Sequence, residues 1–157
     1  GAAMLDTPQL AHHCAQPAAV IRLTVPRTHI QTVMGPAMAE LMATLASQGI
    51  APAGPMFSRH FRIDPEVFDF AVGIPVAAPG TPSGRVQPGE LPAATVLRSV
   101  YRGPYEGLGA AWETICGLVA ASGQQPAPGF WECYLSGPES SPDPATWATE
   151  LNQPVAA

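Results

Sequence analysis

Hydrophobic positions along this chain change their spacing at intervals, and each change marks an element. AAVIRLTVPR, residues 18 to 27, carries Val20, Ile21, Leu23 and Val25 and predicts a strand. HIQTVMGPAMAELMATLASQG, residues 29 to 49, sets Met34, Met38, Leu41, Met42 and Leu45 at helical spacing, with Pro36 near the first turn and Gly49 as a stop. GPMFSRHFRI, residues 54 to 63, and FDFAVGIPV, residues 68 to 76, predict two more strands. A Pro- and Gly-rich segment, residues 77 to 90, reads as a linker.

The order then restarts. LPAATVLRSVYRG, residues 91 to 103, predicts a strand. Residues 107 to 123 predict a helix with Leu108, Trp112, Ile115, Cys116 and Val119 on one stripe. GFWECYLSG and, after a Pro-Ser-Asp loop, ATWATELNQPV predict the last two strands. Each half is therefore β-α-β-β, and the halves align. GIAPAGPMF, residues 49 to 57, lies over GQQPAPGFW, residues 123 to 131, at an offset of 74, and Pro75-Val76 closes one half as Pro154-Val155 closes the other. This duplication predicts an α+β, pseudo-two-fold fold with a groove shared between two copies. The expected modules are 18–76 and 91–156, preceded by a tail or edge segment over residues 1 to 17.

Composition narrows the function. Of 157 residues, 46% are hydrophobic, as in a globular chain, and 12% are charged, well below the common quarter. All seven basic side chains are Arg and the net charge is -5, so the basic stripe of a nucleic-acid binder is missing and no direct DNA binding is expected. No apolar run approaches the ~18 residues of a membrane span, so no membrane partner is expected. No signal peptide is read at the start, with Gly1 open as a cleavage scar, and the expected location is cytoplasmic. Cys14, Cys116 and Cys133 suit reduced thiols, the latter two as small core residues. His12 and His13 adjoin without further ligands, so neither a metal nor a cofactor is expected. Phosphate loops, nucleophile elbows and hydrolytic triads are absent; Ser58 and His60 have no acid to orient them.

One acid stands out. Alternation puts Phe130, Glu132 and Tyr134 on one face of their strand and Trp131, Cys133 and Leu135 on the other. A carboxylate between aromatic rings suits a flat or bulky organic cation, since each ring adds about 0.5–2 kcal/mol of attraction. The bland alternatives are a solvated glutamate or one paired with Arg59, Arg62 or Arg98. At the matching positions the first half has Met56, Ser58 and His60, so the acid occurs once and one ligand per chain is expected. Trp112 reads equally as core or pocket wall, and Tyr101 and Tyr105 as pocket rim or ordinary packing. Trp147 reads as core.

Tyr101-Arg102-Gly103-Pro104-Tyr105, Trp112, Trp131-Glu132-Cys133-Tyr134, Thr149-Glu150-Leu151 and the Pro-Val ending together resemble the GyrI-like small-molecule-binding family, the bacterial transcription activator effector-binding domain. The resemblance covers roughly residues 18 to 156. It implies two SHS2-type β-α-β-β modules sharing one antiparallel sheet, a ligand cleft near the pseudo-two-fold axis, and a strand glutamate, here Glu132, at the base of an aromatic pocket for lipophilic cations. It implies a stand-alone member that senses or sequesters its ligand, with a regulator partner or a homodimer open, and Glu150 as a structural acid. Some relatives resemble hydrolases that open strained cyclopropane rings. On that reading Glu132 is the general base, helped by Tyr134, Tyr101 or Tyr105, with His60 as the helper from the first half. A third implication, inhibition of a topoisomerase, rests on the family name alone.

Overall fold

A computed structural model of the protein describes residues 4–62 and 64–156. Residues 1–3 of the expected tail, Ile63 at the end of the expected second strand, and Ala157 lie outside the described residues. The chain divides into two compact units, one of residues 14–93 and the other of the residues up to 13 together with those from 94 onward. In chain order the elements are β1 (Gln9–His13), β2 (Gln16–Pro26), α1 (Ile30–Ser47), β3 (Phe57–Arg62), β4 (Val67–Pro75), β5 (Gln87–Leu91), β6 (Ala94–Arg102), α2 (Leu108–Ala121), β7 (Trp131–Ser136) and β8 (Ala148–Pro154).

Residues 14–93 form antiparallel strands in the order β3-β4-β2-β5. Ile21 lies opposite Val72, Leu23 opposite Phe70, and Ser58 opposite Val72, so these side chains share one face. That face packs on Ala37, Leu41 and Leu45 of α1. Each fully buried leucine there contributes about 1.5–3 kcal/mol. The buried stripe steps by four, so Met42, one residue past Leu41, turns outward and is 49% exposed. Pro36 sits in the second turn rather than the first, where it removes a donor from the helix ladder.

The other unit is β1-β6-β8-β7 with α2. Its core joins Ala111 and Ile115 of α2 to Tyr101 and Leu151. Cys116 follows Ile115 by one position, about 100° round the helix, and is exposed rather than core; Cys133 is buried as expected.

Two strands escape the hydrophobic pattern. QLAHH is polar, and QPGEL carries Pro88 and Gly89, yet both are edge strands within their units, where such residues are tolerated. Their pairing is exchanged. β1 precedes the first module but pairs with β6 of the second, and β5 precedes the second module but pairs with β2 of the first. The duplication is visible in detail: a β-bulge interrupts β3 between His60 and Arg62 and β7 between Tyr134 and Ser136, again 74 residues apart.

Both helices end on a left-handed glycine. Gly49 (φ 69°) donates to Ala46, and Ile50 donates to Leu45, closing a Schellman motif; Gly123 (φ 78°) donates to Ala120. A Cβ at Gly49, Gly123 or the helical Gly117 would meet nothing within 4 Å, so only the backbone decides. Gly49→Ala and Gly123→Ala are each expected to lower the unfolding free energy by about 1 kcal/mol. Gly117→Ala is expected to raise it by about 0.5–1 kcal/mol. Urea midpoints of the three variants check the opposite signs.

Candidate functional site

The register of β7 against β8 decides which face each side chain takes. Glu132 lies opposite Leu151 and Tyr134 opposite Thr149; Leu151 belongs to the core under α2, so this is the helix-facing side. Trp131 and Cys133, opposite Asn152 and Glu150, face the other way. Glu132 is only 8% exposed. Each of its oxygens accepts from a neutral donor. The indole Nε1–H of Trp112, from the first turns of α2, donates to Oε2 at 3.0 Å, and the Tyr134 hydroxyl donates to Oε1 at 3.4 Å. Both donors stabilise the ionised form of the carboxylate.

Rings extend from Glu132 in both directions. Trp112 meets Phe130 at 4.6 Å between centroids. Tyr134 meets Tyr105 edge-on at 6.2 Å, and Tyr105 lies at 33° to Trp147 at 5.1 Å. All five rings are half-buried. The Tyr105 phenol is held above its ordinary pKa by burial, then by the negative charges of Glu139 and Glu132. Trp147, read from sequence as core, is thus part of this aromatic run; it sits after a loop without periodicity, so no sequence pattern announced it.

Tyr101 is placed differently. It is buried, and its hydroxyl donates to the Pro104 carbonyl at 2.6 Å, bracing the Arg102–Pro104 turn. Gly107 makes room for it, since a Cβ there would collide with the phenol oxygen. Glu150 is structural in position, paired with Arg98 at 3.6 Å and bonded to Asn152 at 3.0 Å. This cluster faces away from α2. Beside it a depression of about 340 Å³ is lined by Asp6, Gln9 and Arg98 among others. Asp6 is bound there by Arg102, and Arg98 Nε by Asn152, so the convergent chemistry lies at Glu132 instead. Arg62 pairs with Asp69. Burial pushes the Cys133 thiol up to about 12, leaving it unreactive. His12 shares a hydrogen bond with Thr95, and the His13 ring packs edge-on against Trp131. Among the described residues no group of three or more His, Cys, Asp or Glu could hold a metal ion, and no helix is long and apolar enough to cross a membrane.

Met56, Ser58 and His60 belong to the other unit. Met56 packs on the core under α1, Ser58 is buried, and His60 stacks on Phe70 at 5.2 Å with Phe68 edge-on at 5.4 Å. Burial, then the charge of Arg27, lowers the His60 pKa to about 4, so the imidazole is neutral near pH 7.

The family profile of the GyrI-like small molecule binding domain matches residues 8–156. The chain belongs to this family. Solved structures agree on the fold of this GyrI-like domain. The EcmrR C-terminal domain superposes with a TM-score of 0.84 at 20% identity, covering 96% of this chain and 99% of that one. The EcmrR chain in a complex with DNA is also similar, and the GyrI-like domain spans 57% of its length. SAV2435, solved bound to tetraphenylphosphonium, gives 0.71 at 13% identity over 97% and 95% of the two chains. A hydrolase from Listeria innocua gives 0.62 at 13% over 95% and 91%. A comparison with curated proteins found no match.

The buried imidazole makes stability pH-dependent. His60 takes a proton near 6.5 when unfolded but near 4 when folded. Between these values the unfolded state binds more protons, so stability is full above about pH 6.5 and falls as pH drops toward 4. The contribution at stake is on the order of 3 kcal/mol. Denaturant unfolding of the GyrI-like domain from pH 7 to 4 is expected to show this loss, and His60→Gln to flatten it.

Proposed function

We propose that this GyrI-like domain binds a lipophilic organic cation on its aromatic run, with Glu132 as the counter-charge, and thereby senses or sequesters the compound. The observation that carries the reading is the burial of the Glu132 carboxylate between Trp112 and Tyr134. A buried carboxylate is costly to maintain, and a desolvated cation laid across neighbouring rings gains from both charge and quadrupole. Phe130, Trp112, Tyr134 and Tyr105 supply those rings. The matching positions of the first module, Met56, Ser58 and His60, carry no acid, which supports one cation per chain. The ligand of SAV2435, tetraphenylphosphonium, supplies a probe of the right class.

Glu132→Gln removes the charge and keeps the shape. Titration by intrinsic fluorescence is expected to show tetraphenylphosphonium binding weakened at least about tenfold, the scale of a charge-assisted contact. Binding of neutral triphenylphosphine oxide should be unchanged. Equal tetraphenylphosphonium affinity in wild type and variant would sink the reading.

A second reading uses the same carboxylate as a general base, with the Tyr134 hydroxyl at 3.4 Å as its helper, to add water across a strained ring. Tyr101 drops out of that mechanism because its hydroxyl is held by Pro104. Multiple turnover of a cyclopropane electrophile, with loss of turnover in Glu132→Gln, separates the enzyme from the binder.

A further inference from the structure

The aromatic run does not stop at Tyr134. Tyr105 and Trp147 carry it to the loop after β7, where a second carboxylate stands. Gly137 is buried, and a Cβ built on it would lie 2.6 Å from the Tyr105 hydroxyl oxygen and 3.0 Å from Glu139 Oε2. The phenol and the carboxylate therefore converge on the same bare backbone position. The loop is braced: the Ser140 amide and hydroxyl donate to the Gly137 carbonyl at 2.9 and 2.8 Å, and the Trp147 indole donates to the Ser141 carbonyl at 2.9 Å. Asp143 accepts from the Ala145 amide at 3.1 Å. Glu139 is exposed, and among the described residues no Arg or His forms an ion pair with it.

We propose that Glu139, Tyr105 and Trp147 form a second cation subsite, so that the domain favours elongated ligands with one positive centre at Glu132 and another at Glu139. The inference rests on the cation-binding reading of Glu132. Tyr105 links the two subsites, packing on Trp147 at one side and on Tyr134 at the other. Its phenol senses both carboxylates. A trimethylammonium group laid on the Tyr105 and Trp147 faces meets rings of the right polarity with a carboxylate beside them.

The test uses alkyltriphenylphosphonium ions of increasing chain length, each ending either in trimethylammonium or in an uncharged tert-butyl group. At the best length, the terminal ammonium is expected to tighten binding to the wild type by about three- to tenfold at low salt, shrinking as salt is added. Glu139→Gln is expected to abolish that gain while leaving tert-butyl compounds and the unliganded melting midpoint unchanged. Glu132→Gln is expected to weaken both series. If tert-butyl compounds bind but no length shows a gain, or Glu139→Gln keeps it, the second subsite is overturned and the Glu132 reading survives. If neither series binds the wild type, the Glu132 reading fails and the second subsite fails with it.

Discussion

The hydrogen bond from the Trp112 indole to the buried Glu132 carboxylate ties α2 to β7 on the helix-facing side of the strand. An acid at 8% exposure needs donors on its oxygens, because burial strips it of water. That need constrains the sequence at a distance. Trp112 must lie beside the stripe of Ala111, Ile115 and Val119 that α2 buries. β7 must pair with β8 so that Glu132 faces Leu151. A slip of one residue would turn Glu132 toward the Arg98–Glu150 side and bring Cys133 under the helix.

The duplication shows which features belong to the scaffold and which to the site. Both modules keep the antiparallel pairing, the bulge and the left-handed glycine after the helix, at one offset in the last two cases. The chemistry has diverged at that same offset: Met38 stands for Trp112, Ser58 for Glu132 and His60 for Tyr134. Met38 and Met56 lie against the α1 core, and His60 is a neutral ring stacked among phenylalanines. Only the second module holds a carboxylate in this position, so the pseudo-symmetry of the backbone does not extend to the charge.

The central strands and both helices were legible because apolar residues recur with the right period, and the repeat was legible because GIAPAGPMF and GQQPAPGFW share punctuation. β1 reads only as a tail or edge segment and β5 as linker, since an edge strand needs no continuous apolar face and QPGEL reads as a loop by composition. Glu132 was conspicuous as an acid in an aromatic strand. Its pairing was not, for Trp112 lies 20 residues earlier and reads equally as core or as pocket wall. Tyr101 illustrates the converse. It reads from sequence as pocket rim or ordinary packing, and depth, which sequence does not encode, gives its hydroxyl to Pro104. Glu139 and Trp147 flank a Pro- and Ser-rich loop, where no period marks a side chain's direction.

The chain is sparsely charged, and most of its arginines are already engaged. Five of its seven arginines form ion pairs with Asp6, Glu40, Asp69 or Glu150, and Arg27 lies over the Phe68 ring. In four of the five pairs the arginine is more than half exposed, so each of these contributes at most about 1 kcal/mol and is weakened by salt. Glu132 differs in kind, since burial strengthens any charge that reaches it. An exposed carboxylate such as Glu139 acts mainly on encounter and on the salt dependence of binding, whereas a buried one governs how long a bound cation stays. A ligand that met both would be drawn by the first and retained by the second, with the rings between them supplying contact that depends on neither.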